Sequence, residues 1–507
     1  MTSVRKNIIA NLVGNGLTAV LALVLVPLYI KFLSIEAWGV VGIFISLQSF
    51  CVLLDFGLAA TLTRELARLS VQKDKSQEMR DLVRTLELIY WAVALLIGVS
   101  LFMLAPLIAN HWLHASQLSA GTIQNAIRLM AVAVSLQWPF GLYSGGLSGL
   151  QRQVLLSGIN SSLAVLRGAG TVLILWKISA TLQAVFVWQV AISFLQTGVA
   201  GVFLWRSLPS TAAASTFQRE LLRTTWRFSA GIGGTAILGV ILTQMDKVIL
   251  SRMLSLEMFG YYVLAGSVMG GIYLFAGPIF QAFYPKFTQL VSLGDEEGLK
   301  ELYHHSCQFM SVIILPVATV IAFYSREVLF LWTGNSATAE HTHLILSILI
   351  VGTALNASLY LPIALQYAYG WTRLVFSLNS ISVLLLCPAI IVLASRYGSV
   401  GAASVWVIFN CGHILIGIQL MHRRILRGQQ WKWYFEDVGL PLVVSVGIAT
   451  LCLLVVPTGG TRSQLLAFLA GATLFVTGST SLATPVTRAG FVSYIRSRRR
   501  RALNILQ

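Results

Sequence analysis

Apolar runs of about 20 residues recur from one end of the sequence to the other, and each is long enough to cross a bilayer as a helix. Hydrophobic residues make up 56% of the 507 residues and charged residues only 10%, whereas a soluble domain is about 25% charged. No stretch between the runs has the roughly 50 residues that a soluble domain needs. The chain is therefore predicted to be an all-α integral membrane protein.

Fourteen transmembrane helices are predicted from these runs, because polar or helix-breaking residues separate them. The first run lacks a small-residue cleavage site and leads directly into the second, so we interpret it as a retained helix. The predicted helices cover residues 8–32, 38–62, 84–107, 122–144, 154–176, 181–206, 226–250, 257–284, 306–332, 341–366, 374–395, 400–422, 437–457 and 464–485.

The basic residues predict the orientation of these helices. With the N-terminus placed in the cytoplasm, most of the 35 Lys and Arg residues fall on the cytoplasmic side, so both termini are predicted there. This asymmetry, together with a polybasic tail suited to membrane lipids, accounts for most of the net charge of +17. We therefore expect no nucleic-acid partner. The basic residues at outer helix ends are Lys31, Arg128, Lys177, Arg252, Arg326, Arg396 and Arg462.

A nine-residue segment occurs twice in the chain. Lys31–Gly39 (KFLSIEAWG) returns 221 residues later as Arg252–Gly260 (RMLSLEMFG). Both copies follow a helix that starts from the cytoplasm, which predicts a parallel internal repeat of two six-helix lobes. The predicted parts are an N-lobe at 1–206, a C-lobe at 219–424, two appended helices at 437–485 and a basic cytoplasmic tail at 486–507.

Each copy of the segment is interpreted mainly as a tight turn at the outer surface. Ser34 and Ser255 are expected to cap the following helix, in whose first turn the acidic Glu36 and Glu257 favour the helix dipole. The aromatic residues Trp38 and Phe259 are expected at the membrane interface. Lys31 and Arg252 would then place one positive charge on each lobe near the outer mouth, where an anionic head group could pause.

Polar residues recur at helical spacing within the apolar runs, which is costly unless they face a cavity or a partner. Two interpretations stay open: the polar groups line a water-filled cleft, or they link helices, for instance through an Asp55–Arg167 pair. Basic groups outnumber acidic ones, so a cleft would suit an anionic ligand that bears hydroxyl groups. The residues concerned are Asn11, Asn15, Gln48, Asp55, Arg128, Asn160, Arg167, Asp246 and Lys247.

These residues have different expected roles. Arg128, Arg167 and Lys247 would hold negative charge. The amides of Asn11, Asn15, Gln48 and Asn160 would contact hydroxyl groups. Asp55 would pair with an Arg or carry a coupling proton. Asp246, next to Lys247 in the sequence, is the second candidate for an ion pair or for coupling. The five cysteines, the histidines and the glycines form no disulfide, metal or nucleotide motif, so no cofactor and no metal are predicted.

Several short motifs resemble those of one transporter group. From Asp55 to Ala67 the sequence DFGLAATLTRELA is similar to the polysaccharide-export branch of the multidrug/oligosaccharidyl-lipid/polysaccharide transporter superfamily. The same resemblance extends to Val26-Pro27 in the first helix, Trp38-Gly39 in the following turn, Gly145–Arg152 after the fourth helix and Arg396–Ala403 at the turn into the twelfth.

This resemblance implies a flippase for undecaprenyl-pyrophosphate-linked oligosaccharides in the bacterial inner membrane. It also implies two six-helix lobes with a cationic cavity, and polysaccharide polymerase and chain-length proteins as partners. A multidrug exporter or a lipid II exporter of the same fold is an alternative, although helix 1 carries asparagines where lipid II flippases have an arginine cluster. A membrane polysaccharide polymerase or ligase is a third. The short outer loops disfavour that enzyme.

Overall fold

The computed structural model describes residues 2–72, 74–457, 461–485 and 488. The side chains of residues 1–13, 15, 19, 22, 52 and 222–236 lie outside this description, as does nearly all of the predicted tail at 486–507. All regular secondary structure within the described ranges is helical. An isolated bridge joins His114 to Ser255. The prediction of an all-α fold is confirmed.

The described chain divides into two compact units, Met1–Val263 and Leu264–Gln507. The first unit contains ten α-helices, of which the tenth runs across the boundary. They are α1 Thr2–Phe32, α2 Ile35–Leu53, α3 Leu58–Leu69, α4 Ser76–Leu107, α5 Ala120–Gln137, α6 Phe140–Gly149, α7 Gln153–Lys177, α8 Leu182–Ser207, α9 Arg219–Met253 and α10 Leu256–Gly270.

The second unit continues with ten more α-helices and two π-helical segments, His413–Gly417 and Trp433–Gly439. The α-helices are α11 Tyr273–Leu293, α12 Glu296–Phe323, α13 Ser325–Thr333, α14 Ser336–Ser358, α15 Tyr360–Ala368, α16 Arg373–Gly412, α17 Ile418–His422, α18 Gln430–Lys432, α19 Leu440–Cys452 and α20 Arg462–Ala483.

Every predicted helix overlaps a helical segment of the structure, but several are built from two pieces. The second breaks at Asp55–Gly57, where Phe56 and Gly57 take positive φ values of 47° and 80°. The eleventh and twelfth join in α16 across a kink at Gly398, whose φ of 60° and ψ of −141° suit a residue without a side chain. The turn predicted at Arg396–Ala403 is this kink.

Nine helical segments among the described residues are long and apolar enough to cross a membrane, and two shorter apolar helices lie at Gly16–Phe32 and Ile35–Cys51. The chain is thus a multi-pass membrane protein. The total of fourteen crossings remains a prediction, because breaks such as the one at Asp55 divide some crossings into shorter helices. The lobe boundary between 206 and 219 also stays a prediction, since α9 packs on α2, α3 and α4 within the first unit.

Side-chain caps fix where many of these helices begin. An oxygen of the capping residue accepts a hydrogen bond from a backbone N–H in the first turn, which satisfies a group that the helix leaves unpaired. These caps are Ser119, Thr181, Asp295, Asn335 and Thr461. Within the first unit α1 packs on α7, and α5 packs on α4 and α8. Helix α8 also packs on α7, so Arg128 on α5 and Arg167 on α7 both lie on helices that adjoin α8.

Candidate functional site

The buried polar groups of the first unit centre on Arg167 in α7. Its guanidinium donates to the Gln196 side-chain oxygen in α8 over 2.6 Å, while the Nε atom is buried with no partner among the described residues. The Arg167 carbonyl accepts from Thr171 and from the Trp188 indole. The Asp55–Arg167 pair considered from sequence is not formed in this structure.

Helix α8 presents a buried polar face that the sequence analysis missed. Gln189, Ser193, Gln196 and Thr197 are all less than 10% exposed, and their spacing of four, seven and eight residues places them on one side of a helix. The Gln189 Nε2 and the Ser193 hydroxyl have no partner among the described residues. The same spacing argument that selected the other polar stripes would have found this face.

Arg128 in α5 is a second cation without a counter-ion in the described part of the chain. Its guanidinium carbon lies 5.1 Å from the centre of the Phe102 ring, and its Nε is buried without a hydrogen-bond partner. No carboxylate of the described residues lies within 4.0 Å of Arg128 or Arg167. Both guanidinium groups therefore have an N–H donor for which the described part of the protein offers no acceptor.

The predicted amide Gln48 and the predicted carboxylate Asp55 link helices. The Gln48 amide in α2 donates to Gln137 in α5 over 2.5 Å. One oxygen of Asp55 accepts from the Tyr90 hydroxyl and from the Ala59 amide, the latter over 3.2 Å. Asp55 thus joins the α2–α3 turn to α4, and it forms no ion pair within the described ranges.

The pair in α9 has local partners. Lys247 Nζ lies 2.8 Å from the Thr243 carbonyl and 3.7 Å from Asp246 Oδ1. The other oxygen of Asp246 accepts from the Tyr262 hydroxyl over 2.7 Å, which ties α9 to α10. Asn160 is half-buried on α7. The side chains of Asn11 and Asn15 lie outside the described residues.

The two copies of the duplicated segment pack against each other within the first unit. A Cβ added to Gly39 would lie 2.6 Å from the Leu256 carbonyl oxygen, and one added to Gly260 would lie 2.2 Å from the Ile35 carbonyl oxygen. Leu256 is the counterpart of Ile35 in the repeat, so the contact is reciprocal. Two backbones meet here at a distance that only glycine permits.

Other features of the duplicated segment are partly as predicted. The Ser34 and Ser255 hydroxyls accept from the amides of Ala37 and Met258, which confirms both caps. Trp38 and Phe259, which were predicted at the membrane interface, are no more than 3% exposed, so both rings pack against protein rather than lipid.

The acidic and basic residues of the two copies differ in their surroundings. Glu36 accepts the Ser116 and Gln117 amides over 2.6 and 3.0 Å and so fastens the loop before α5, whereas Glu257 accepts from Tyr261. Lys31 and Arg252 are both exposed, and Arg252 also donates to the His111 carbonyl over 2.5 Å.

Comparison with known proteins decides the family. The family model described as "Polysaccharide biosynthesis protein" matches residues 4–291, which is more than half of the chain. The chain belongs to this polysaccharide biosynthesis protein family. A Shigella flexneri relative named "Putative O-antigen transporter" is 22% identical over 406 residues, which cover 80% of this chain and 94% of the relative.

Solved structures share the fold of this family member at low identity. The lipid II flippase MurJ, in an inward closed conformation, matches with a TM-score of 0.72 and 14% identity over 94% of this chain and 98% of its own. An inward-facing multidrug resistance MATE family transporter matches with a TM-score of 0.65 and 15% identity over 82% of this chain and 96% of its own. The expected membrane-transporter fold is confirmed.

Proposed function

We propose that this polysaccharide biosynthesis protein is a flippase. It moves an undecaprenyl-pyrophosphate-linked oligosaccharide, such as an O-antigen or exopolysaccharide repeat unit, across the bacterial inner membrane. The two lobes would alternate in giving access to the inner and outer leaflets, with both termini in the cytoplasm. Family membership and the name of the Shigella relative support the substrate class, and the shared fold supports transport as the activity class.

The observation that carries this proposal is the excess of buried donors in the first unit. Arg128 and Arg167 each bury an Nε without a partner among the described residues, and neither has a carboxylate partner there. Cations inside a membrane bundle are costly unless an anion or water compensates them. The oxygens of a pyrophosphate or an acidic sugar would supply acceptors for these groups.

The proposed roles follow the chemistry of each side chain. Arg128, Arg167 and Lys247 would hold the pyrophosphate or acidic sugars, and Lys31 and Arg252 would attract the head group near the outer side. The amides of Asn11, Asn15, Gln48 and Asn160 would contact sugar hydroxyls, joined by Gln189 on the polar face of α8. Asp55 would carry a coupling proton, and polymerase and chain-length proteins would act next on the exported unit.

Replacement of the central cations tests the proposal. Arg167→Ala combined with Lys247→Ala is expected to lower surface glycan display sharply at matched expression, because each loss removes a charge-assisted contact worth about 1.5–3 kcal/mol. A double variant at two exposed cations, Lys177→Ala with Arg396→Ala, is the control. Unchanged display in the first variant would contradict the cationic site.

A reconstituted assay separates the flippase from its rivals. Purified protein in vesicles with labelled lipid-linked oligosaccharide should expose the label in the opposite leaflet without altering its chain length. Longer chains in the same vesicles would indicate a polymerase or ligase. A deletion strain that changes drug sensitivity but displays its glycan normally would indicate a multidrug exporter, whose cationic substrates the excess of arginines disfavours.

A further inference from the structure

A lateral cavity of about 460 Å³ opens on the surface of the first unit between α4, α6 and α8. Several residues at its rim are strongly exposed and apolar, with Phe194 at 66%, Val202 at 50% and Trp91 at 39% exposure. In a multi-pass membrane protein such a surface faces lipid. The cavity is lined by Glu87, Trp91, Leu136, Tyr143, Phe194, Thr197, Gly198, Gly201, Val202, Trp205 and Arg206.

The polar groups in the wall of this lateral cavity bond to one another. Glu87 accepts from the Tyr143 hydroxyl over 2.7 Å, from the Trp205 indole over 3.0 Å and from Arg84 over 2.9 Å. The Trp91 indole donates to the Tyr143 hydroxyl over 3.2 Å. Since these groups already have partners, the wall offers a ligand mainly ring and aliphatic surface, which suits a hydrocarbon chain.

Three arginine guanidinium groups lie at one end of the lateral cavity. Arg206 lines it directly, is exposed and forms no ion pair within the described ranges. Arg80 lies 5.2 Å from the centre of the Trp205 ring, and Arg84 binds Glu87 while 45% of its side chain stays exposed. Because α4 begins and α8 ends here, these cations share one side of the membrane, which is the predicted cytoplasmic side.

Nearby acidic groups do not neutralise this cationic end. Glu87 is shared among three donors, as described above. The carboxylate of Asp81 is buried and accepts from the Thr216 amide and from Gln77. Glu78 pairs with Lys75 over 2.6 Å. The end of the cavity therefore carries net positive charge beside an apolar chamber that opens toward lipid.

We propose that the lateral cavity binds one anionic glycerophospholipid, with an acyl chain in the apolar chamber and the phosphate near Arg206 and Arg80. Basic pockets between transmembrane helices on the cytoplasmic side are suited to anionic head groups. Free phosphate would leave the chamber unused, and a zwitterionic lipid would bring its own cation to an end that is already cationic. Apart from Thr197, no residue that lines the cavity belongs to the polar groups described around Arg167.

Two substitutions test the two halves of this site. Gly198→Leu fills the chamber, and a Cβ at Gly198 meets no atom within 4 Å, so the packing of α8 is preserved. Arg206→Gln removes the unpaired cation. The matched controls are Gly471→Leu, at an exposed glycine of α20 with the same free space, and Arg427→Gln, at an exposed arginine of the second unit.

Native mass spectrometry of purified, delipidated protein titrated with phosphatidylglycerol or phosphatidylethanolamine gives the affinities. We expect phosphatidylglycerol to bind more tightly than phosphatidylethanolamine, and each test substitution to weaken it about tenfold, as loss of one charge-assisted contact or of chain burial implies. The controls should bind as the unchanged protein does, and thermal unfolding should show that all variants are folded.

Three results would overturn the proposal. Equal binding of the two lipids would remove the role of the charge, and unchanged phosphatidylglycerol binding in Gly198→Leu would exclude the chamber. Displacement of the lipid by glycerol phosphate alone would show a simple phosphate site. None of these outcomes bears on glycan export, so the flippase proposal stands or falls separately.

Discussion

Removal of the Asp437 carboxylate is expected to destabilise the second unit by about 3–5 kcal/mol, the usual cost of breaking a buried charge pair from one side. Asp437 lies in the π-helical segment before α19 and is 0% exposed. One of its oxygens lies 2.5 Å from His304 Nδ1 in α12, and the other accepts from the Gln308 amide over 2.9 Å. Asp437→Ala would remove one hydrogen-bond acceptor from each of these two buried partners.

The magnitude follows from the contacts of His304. Its second ring nitrogen lies 2.9 Å from the Gln429 side-chain oxygen, so both ring nitrogens have a hydrogen-bond partner. His304 is 3% exposed, so water cannot replace the lost carboxylate. Each lost hydrogen bond to a charged group is worth about 1.5–3 kcal/mol, and two such losses agree with the figure above.

The assay is unfolding of purified protein in detergent, followed by tryptophan fluorescence, because Trp433 is fully buried four residues from Asp437. Glu436→Ala is the matched control, since Glu436 is the adjacent acidic residue and is exposed; its expected change is within about 0.5 kcal/mol. Equal stability of the two variants would refute the buried charge pair. A double-mutant cycle with His304→Ala should show coupling of more than about 1 kcal/mol.

Three further predictions concern the duplicated segment. Gly260→Ala should cost about 1–3 kcal/mol of stability, because its Cβ would press on the Ile35 carbonyl. Gly266→Ala is the control in the same helix, because a Cβ there meets no atom within 4 Å. Equal melting temperatures of the two variants would argue against the close contact. Glu36→Gln should speed hydrogen exchange of the two loop amides that it accepts, since a neutral amide cannot match a carboxylate that accepts two N–H groups; unchanged exchange would show that other contacts hold the loop. Lys31→Glu with Arg252→Glu should slow glycan export in the vesicle assay if both charges attract the head group, and a normal rate would leave them as turn residues.

Helix positions were predictable because a membrane helix is specified by local composition and length. The same signal does not show where a helix breaks. The break at Asp55–Gly57 lies inside an apolar run. The DFGLAATLTRELA motif that contains it resembles a transporter family but does not indicate where the helix breaks. Conversely, the turn predicted near Gly398 is a kink, because Gly398 takes a non-helical conformation while the chain is helical on both sides of it.

Side-chain partners were much less predictable, because they depend on contacts between distant parts of the chain. The partner of Arg167 is Gln196 rather than Asp55, and nothing in the local sequence distinguishes the two. His304 and Asp437 are 133 residues apart, and neither belongs to a motif. Their contact forms only because α12 packs against the π-helical segment that leads into α19.

The duplicated segment shows why some sequence identity persists between two halves of a chain. The serine cap serves each copy separately, so it explains no relationship between them. Gly39 and Gly260 instead need each other, because each backbone approaches a carbonyl of the other copy, and a side chain on either would separate both. Glu36 and Glu257 have different partners, and Lys31 and Arg252 are both exposed. The reciprocal glycine contact is therefore the feature of the segment that most directly requires both copies. Its loss should destabilise the starts of α2 and α10 together.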